Sequence, residues 1–226
     1  MTPLRKYQLA LKRVCDVVGA ALALVVAVPI CLVLGSLILV DDGPPIFYTQ
    51  SRIGKDGRRF TVFKFRSMKI NDLPTDTPDE VTESHPLVTR TGRVLRRLKL
   101  DELPQLLNVL RGDMSLVGPR PALPEQVERY HAFQRRRLGM RPGMTGWAQV
   151  NGGIQLSWDE RIVLDVWYTD HWSLILDALI LGKTLRVVLL GERPNRQALE
   201  HAEAHAKRDQ SDPLTARPWT APSRPC

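Results

Sequence analysis

The chain has 226 residues, enough for one ordinary domain with its own core plus appendages. Its 32 Lys and Arg against 24 Asp and Glu leave a net charge of +8, which suits anionic partners: nucleic acid, phosphorylated small molecules or an acidic membrane surface. Three widely spaced cysteines, Cys15, Cys31 and Cys226, exclude a disulfide framework and a cysteine metal cluster, so a reducing cytosolic setting is expected.

The first predicted element is apolar. Between Asp16 and Asp41 no residue carries a charge, and Val17 to Val40 would reach roughly 36 Å as a straight helix, enough to cross a bilayer. The run is too long for a signal-peptide core of about 7 to 15 residues. Two features speak against a plain crossing. Pro29 sits near the middle, where it removes a backbone hydrogen bond and bends a helix. Cations flank both ends alike: Arg5, Lys6, Lys12 and Arg13 before, Arg52, Lys55, Arg58 and Arg59 after. Balanced flanks give no direction under the positive-inside bias. A re-entrant helix that bends at Pro29 and leaves by the same face fits both facts. A straight span stays open on these grounds alone.

Next, "PPIFYTQSRIGKDGRRFTVFKFRSM" reads as a β-hairpin around the glycine-marked turn "GKDGR". Residues 71–89 are polar and proline-rich, a surface loop that contains His85. A basic helix is predicted over about 91–98. It leads to Asp101 and Glu102, where Asp101 is a candidate N-cap for a helix that carries Leu103, Leu106, Leu107 and Leu110 and stops at Gly112. "GDMSLVGPRPALP" and "RPGMTGWAQVNGG" are too rich in Gly and Pro for regular elements. Between them 125–138 reads as a polar helix whose Arg135, Arg136 and Arg137 face solvent or lipid headgroups. Helices follow over 158–171 and 173–190. The second is strongly apolar, but Asp177, Lys183 and Arg186 interrupt it, which places it in the core or at a membrane interface. From 191 to 226 no apolar periodicity is visible, and a disordered tail is expected.

The candidate chemistry gathers around the acidic pair. Lys64 and Arg66 alternate with Phe63 and Phe65, so a strand would turn both cations to one face. Arg120 is stiffened by Pro119 and Pro121, and Arg96 lies about one turn before Asp101. Cations in rigid loops beside a helix start make a diphosphate cradle. A carboxylate there would be held ionised by the dipole and the cations, as a nucleophile toward phosphorus requires. Attack by one anion on another calls for a divalent cation, Mg²⁺ by preference, at Asp101 with help from Glu102.

Five segments in order carry a resemblance: "KRVCD", "QSRIGKDGRRFTVFKFRSM", "LDELPQLLNVLRGDMSLVGPRP", "RPGMTGWAQVNG" and "LDVWYTDHWSLILDALILGKT". Over about residues 10–190 the chain resembles the bacterial sugar transferases, the monotopic polyprenyl-phosphate phosphoglycosyl transferases. The resemblance implies a mostly helical α+β fold: a re-entrant membrane helix over 1–40, a cytosolic catalytic domain over 41–190 with interfacial helices and a small hairpin, and the tail. It implies transfer of a sugar 1-phosphate from a UDP-sugar to polyprenyl (undecaprenyl) phosphate with release of UMP, as a membrane step of exopolysaccharide or glycoconjugate synthesis. The setting it implies is the cytoplasmic face of the bacterial inner membrane. Asp101 and Glu102 match the family's catalytic dyad, with Asp101 the nucleophile of a covalent intermediate and Mg²⁺ present. Arg120 matches its phosphate-binding arginine, and Arg96, Lys64 and Arg66 its basic residues. One departure is Val28, where a small polar residue often precedes the helix-breaking proline.

Two rivals remain at this stage. A direct transfer in a ternary complex would keep the enzyme and drop the covalent step. A membrane-anchored basic module that recruits nucleic acid or acidic partners would leave the dyad and Arg120 without a task, so no nucleic-acid partner is expected. The sugar and the oligomeric state are left open, a homo-oligomer included.

Overall fold

A computed structural model describes residues 3–69 and 85–211. Helix α1 runs from Pro3 to Asp42, about 60 Å at 1.5 Å per residue. The hairpin follows, β1 (Phe47–Ile53) antiparallel to β2 (Arg59–Phe65), with Phe47 opposite Phe65 and Tyr48 opposite Lys64. Then come α2 (Arg90–Arg97), a 3₁₀ turn over Leu100–Gln105, α3 (Leu106–Arg111) and the three-residue strand β3 (Ser115–Val117). Short helices α4 (Pro124–Glu128) and α5 (Ala132–Arg135) precede β4 (Gly143–Thr145), which pairs parallel to β3. Finally α6 (Trp147–Val150), α7 (Trp158–His171), α8 (Leu174–Leu190) and α9 (Arg196–Ser211) complete the chain. The architecture is the mostly helical one expected of a monotopic membrane protein, with one long apolar helix and a small antiparallel hairpin.

Helix α1 does not stand away from the domain. Lys12, Asp16, Ala20, Ala27, Leu34 and Ile38 are buried along one stripe at three- and four-residue multiples, the spacing that keeps side chains on one helix face. Ala20 and Ala27 pack on Val62, Leu106 and Val109, and Leu34 and Ile38 on Phe65 and Leu95. Both ends are tied to the same body. Arg13 donates to the Val109 and Leu110 carbonyls at 2.6 and 2.9 Å, and Asp41 accepts from the Thr91 N–H at 2.9 Å. Pro29 lies inside the helix on its exposed side, and the helix carries through it, so the break expected at Pro29 is corrected: the proline ring faces outward and the helical run continues on both sides. A straight crossing would put the domain packed along the stripe into hydrocarbon, where its polar groups have no partners. The outer face is another matter: Leu22, Val25 and Leu32 are 66, 74 and 70 % exposed. Helix α8 repeats the pattern, with Ile175, Leu185 and Leu189 at 75, 69 and 81 %. Apolar faces of this extent associate with a membrane.

A buried polar network joins the two. Lys12 Nζ donates to Asp177 Oδ2 at 2.6 Å and to the Val117 carbonyl at 3.0 Å. Tyr168 and Trp172 also donate to Asp177, at 2.7 and 3.1 Å. Asp16 accepts from Ser115 and from the Leu116 N–H. The charges that interrupt α8's apolar run therefore include its anchor to α1.

Several expectations need correction. The disordered tail is a helix for sixteen residues. Ala198, Ala202 and Ala206 recur every four residues, and the last two are buried against α7, so small side chains carry an interface that a search for bulky apolar periodicity misses. The polar helix over 125–138 is broken into α4, α5 and a 3₁₀ turn, and its arginines are not a solvated face. Arg137 is 1 % exposed, paired with Asp165 and with the Tyr130 hydroxyl. The two glycine-rich loops hold β3 and β4, strands too short to show periodicity. They lie so close that a Cβ on Gly143 would fall 2.0 Å from the Gly118 nitrogen. Most of the loop expected over 71–89 lies outside the described residues, as do 212–226.

Candidate active site

The acidic pair sits on the 3₁₀ turn between α2 and α3. Lys99 starts this turn in the left-handed region (φ 56, ψ 21), a costly conformation for a residue with a Cβ. Asp101 is therefore not the N-cap that its sequence position suggested; it lies inside the turn, 8 % exposed. The turn is pressed against the hairpin by Asn108, fully buried, whose amide donates to the Thr61 carbonyl at 2.7 Å and accepts from the Phe63 N–H at 3.2 Å. That docking brings Lys64 of β2 to Glu102, with Nζ 3.0 Å from Oε1.

Arg120 approaches the same oxygen of Glu102, at 3.7 Å. Its loop is fixed at several points. The Gly118 N–H donates to the Thr145 carbonyl, the Arg120 carbonyl accepts from Arg137 at 2.8 Å, and the Ile53 N–H donates to the Ala122 carbonyl at 2.8 Å. The stiffness expected from the flanking prolines is thus backed by β3, β4, a buried guanidinium and the hairpin. Arg96, in the last turn of α2, donates to Ser67 at 2.9 Å and adds positive charge near Asp101.

Arg66 does not join them. It is 5 % exposed, and its guanidinium donates to the carbonyls of Asp42, Gly43 and Pro44 and pairs with Asp42 at 3.1 Å. A cation at the carbonyl end of α1 serves the helix terminus, not a substrate phosphate. The strand ladder ends at Phe65, so alternation does not carry Arg66 to the face of Lys64.

The two carboxyls titrate apart. Glu102, held by Lys64 and Arg120, is pushed down to about 2 despite its burial. Asp101 moves the other way, up to about 6, first because it is buried and second because ionised Glu102 stands beside it. The expected downward pull of dipole and cations on Asp101 is therefore outweighed: Lys64, Arg96 and Lys99 lower its value less than burial and Glu102 raise it, although a group at about 6 is still mostly carboxylate at neutral pH. Among the described residues the Asp101 carboxyl has no hydrogen-bond partner. A carboxyl that no neighbouring donor has claimed keeps its acceptor capacity for whatever reaches it.

Beside the pair, on the side of Glu102, opens a cleft whose wall does not include Asp101 itself. Glu102, Arg120 and Lys99 stand on its wall with Thr145, Arg161 and Glu192. Sequence reasoning missed Arg161 and Glu192, which lie 60 and 91 residues from Asp101 in chains with no motif to mark them. Lys99 was visible only as one cation among many.

The chain matches the profile of the bacterial sugar transferase family over residues 7–191. It belongs to that family. The sugar transferase EpsL of Bacillus subtilis, itself uncharacterized, is 45 % identical over 184 residues, 80 % of this chain and 89 % of that protein. A UDP-galactose-lipid carrier transferase of Erwinia amylovora is 42 % identical over 79 % of this chain and 40 % of its own length. An undecaprenyl-phosphate glucose phosphotransferase of Komagataeibacter xylinus is 40 % identical over 81 % of this chain and 37 % of its own length. The chain therefore spans most of the length of some relatives and about two fifths of others. The family match ends one residue before Glu192, so α9 lies outside it.

Proposed function

We propose that this chain transfers a sugar 1-phosphate from a UDP-sugar to polyprenyl phosphate, releasing UMP, on the cytoplasmic face of the bacterial inner membrane. The observation that carries the reading is Asp101: a buried carboxyl without a hydrogen-bond partner among the described residues, beside a Glu102 clamped by Lys64 and Arg120. The names of two relatives, a UDP-galactose-lipid carrier transferase and an undecaprenyl-phosphate glucose phosphotransferase, support the same reaction class and leave the sugar open.

In the first step an Asp101 carboxylate oxygen bonds to the sugar-bearing phosphorus while the bond to the UMP oxygen breaks. In the second, an oxygen of the lipid phosphate attacks that phosphorus and the carboxylate is regenerated. Two displacements let each large, charged substrate use the site in turn. Arg120 and Lys64 hold phosphate oxygens, Arg120 through its fork. Glu102 fixes both cations in place. Adjacent carboxylates with substrate phosphates are the donor set Mg²⁺ prefers, and Asp101, with spare acceptor capacity, is the residue to hold it. No cluster of three or more ligands occurs among the described residues, so the ion would arrive with the diphosphate and offset its charge. Helix α1, tied at both ends to one body and apolar outside, fits a re-entrant anchor, with α8 lying along the same surface.

Incubation of the wild type with UDP-sugars, lipid acceptor omitted, should leave a phosphosugar adduct by intact mass, mapped to Asp101. If no adduct forms and initial rates require both substrates bound before UMP leaves, direct attack replaces the covalent route. A panel of UDP-sugars in the same assay identifies the sugar.

A further inference from the structure

Glu192 follows Gly191, which ends α8 with φ +81, and turns back into the cleft. Its side chain is 10 % exposed. Oε1 accepts from Lys99 Nζ at 2.8 Å, and Oε2 accepts from the Ile154 N–H at 2.7 Å. The segment is latched on both sides of this contact. Gln155 Nε2 donates to the Glu192 carbonyl at 2.6 Å, and the Asn195 N–H donates to the Asn151 carbonyl at 2.9 Å. The donors to the carboxylate belong to the catalytic cleft: Lys99 is two residues from Asp101, and Ile154 lines the same wall as Glu102 and Arg120. The close approach depends on Gly153 (φ +52), where a Cβ would lie 2.1 Å from Oε2.

A lysine ammonium and a peptide N–H converging on one anion are the donors that phosphate oxygens use. In the reaction above the cleft must accept phosphate groups, yet this position is filled by the chain's own carboxylate. We infer that the Lys99–Ile154 position is a substrate phosphate subsite and that Glu192 is its internal occupant, displaced when a phosphate arrives. The inference rests on reading the cleft as the transfer site. The phosphate belongs either to the nucleotide or to the lipid acceptor, since both present the same oxygens. Either way the C-terminal segment competes with substrate, and the apparent affinity is lowered by the fraction of molecules in which Glu192 is seated.

The test compares the full chain in detergent with Glu192→Gln, an isosteric change that keeps the backbone latch. Binding of UMP, uridine and undecaprenyl phosphate is measured by calorimetry. Glu192→Gln is expected to bind UMP about tenfold more tightly, with uridine unchanged in both proteins. Tightening confined to undecaprenyl phosphate would assign the subsite to the acceptor. In a Lys99→Asn background, which keeps the left-handed residue comfortable, Glu192→Gln should give no gain. Equal or weaker binding of both phosphates by Glu192→Gln overturns the inference, as does a gain that survives without Lys99. Turnover of UDP-sugars by the wild type is followed in parallel. Tightening without turnover would sink the transfer reading and keep the subsite; turnover without tightening would do the reverse.

Discussion

Asp101 and Asp177 are equally buried, at 8 % exposure each, yet they are opposite in kind. Asp177 receives Lys12, the Tyr168 hydroxyl and the Trp172 indole, all within 3.1 Å. Asp101 receives no hydrogen bond among the described residues and has ionised Glu102 as its neighbour. Burial alone therefore does not separate structure from chemistry. Nor does one unused acceptor by itself, since Asp165 pairs with Arg137 through Oδ2 and leaves Oδ1 buried without a partner. What sets Asp101 apart is that neither carboxyl oxygen is claimed among the described residues and that Glu102, Lys64 and Arg96 surround it.

The widest test of this contrast is Asp101→Asn. The shape is kept and the nucleophilic charge is lost, so turnover should fall about a thousandfold or more while thermal stability does not fall. The mirror change, Asp177→Ala, should do the reverse. It strands Lys12 in the interior beside Asp16, 3.9 Å away, and should cost about 3 kcal/mol in chemical denaturation, the low end for a broken buried pair. Turnover per folded molecule should stay near normal. If Asp177→Ala abolished turnover of folded protein, the division between the two aspartates would fail.

Arg120→Lys sharpens the active side of the comparison. The loop is held through its backbone, so the fold should persist, but a point charge cannot replace the fork. A loss of about a hundredfold in turnover is expected, near 3 kcal/mol of transition-state stabilisation. Near-normal turnover would make Arg120 a spacer for Glu102.

A smaller effect lies in pH. The fold raises Asp101 above its ordinary 3.8, to about 6, so it binds that proton more tightly than the unfolded chain does. Its stabilising effect is complete below about pH 4 and is lost as pH climbs through about 6. The melting temperature of Asp101→Asn relative to wild type should then rise across that window and level off above it. Glu102 has the opposite sign: its contribution is present above about pH 4.5 and is lost as pH falls toward 2. A flat difference between the two proteins from pH 4 to about 8 would refute the raised value.

Much of this arrangement was legible in the sequence because it was local. The apolar run, the hairpin turn, the acidic pair and the proline-flanked arginine each announce themselves within a few residues. Lys64 and Arg120, named from the sequence, stand beside Glu102, and Arg96 lies near Asp101. The failures share a cause. Arg66, Arg137 and Glu192 are charged residues whose partners are distant in sequence: the end of α1, Asp165 and Lys99. No periodicity records such pairings. The N-cap reading of Asp101 failed for a related reason, since a left-handed Lys99 moved the start of the turn.

The loop that presents Arg120 has a consequence for how this sequence can drift. A methyl group on Gly118 would meet the Arg141 carbonyl oxygen at 2.3 Å, and one on Gly146 would meet the Gly118 carbonyl oxygen at 2.1 Å. These obstacles are main chain, which cannot rotate aside as a side chain can. No replacement is small enough, whatever its polarity. The outward residues of α1 answer only to hydrophobicity and can be exchanged among Leu, Ile and Val at little cost. Within one chain, mutation thus has wide neutral territory on the lipid-facing surface and none at a few glycines beneath the arginine.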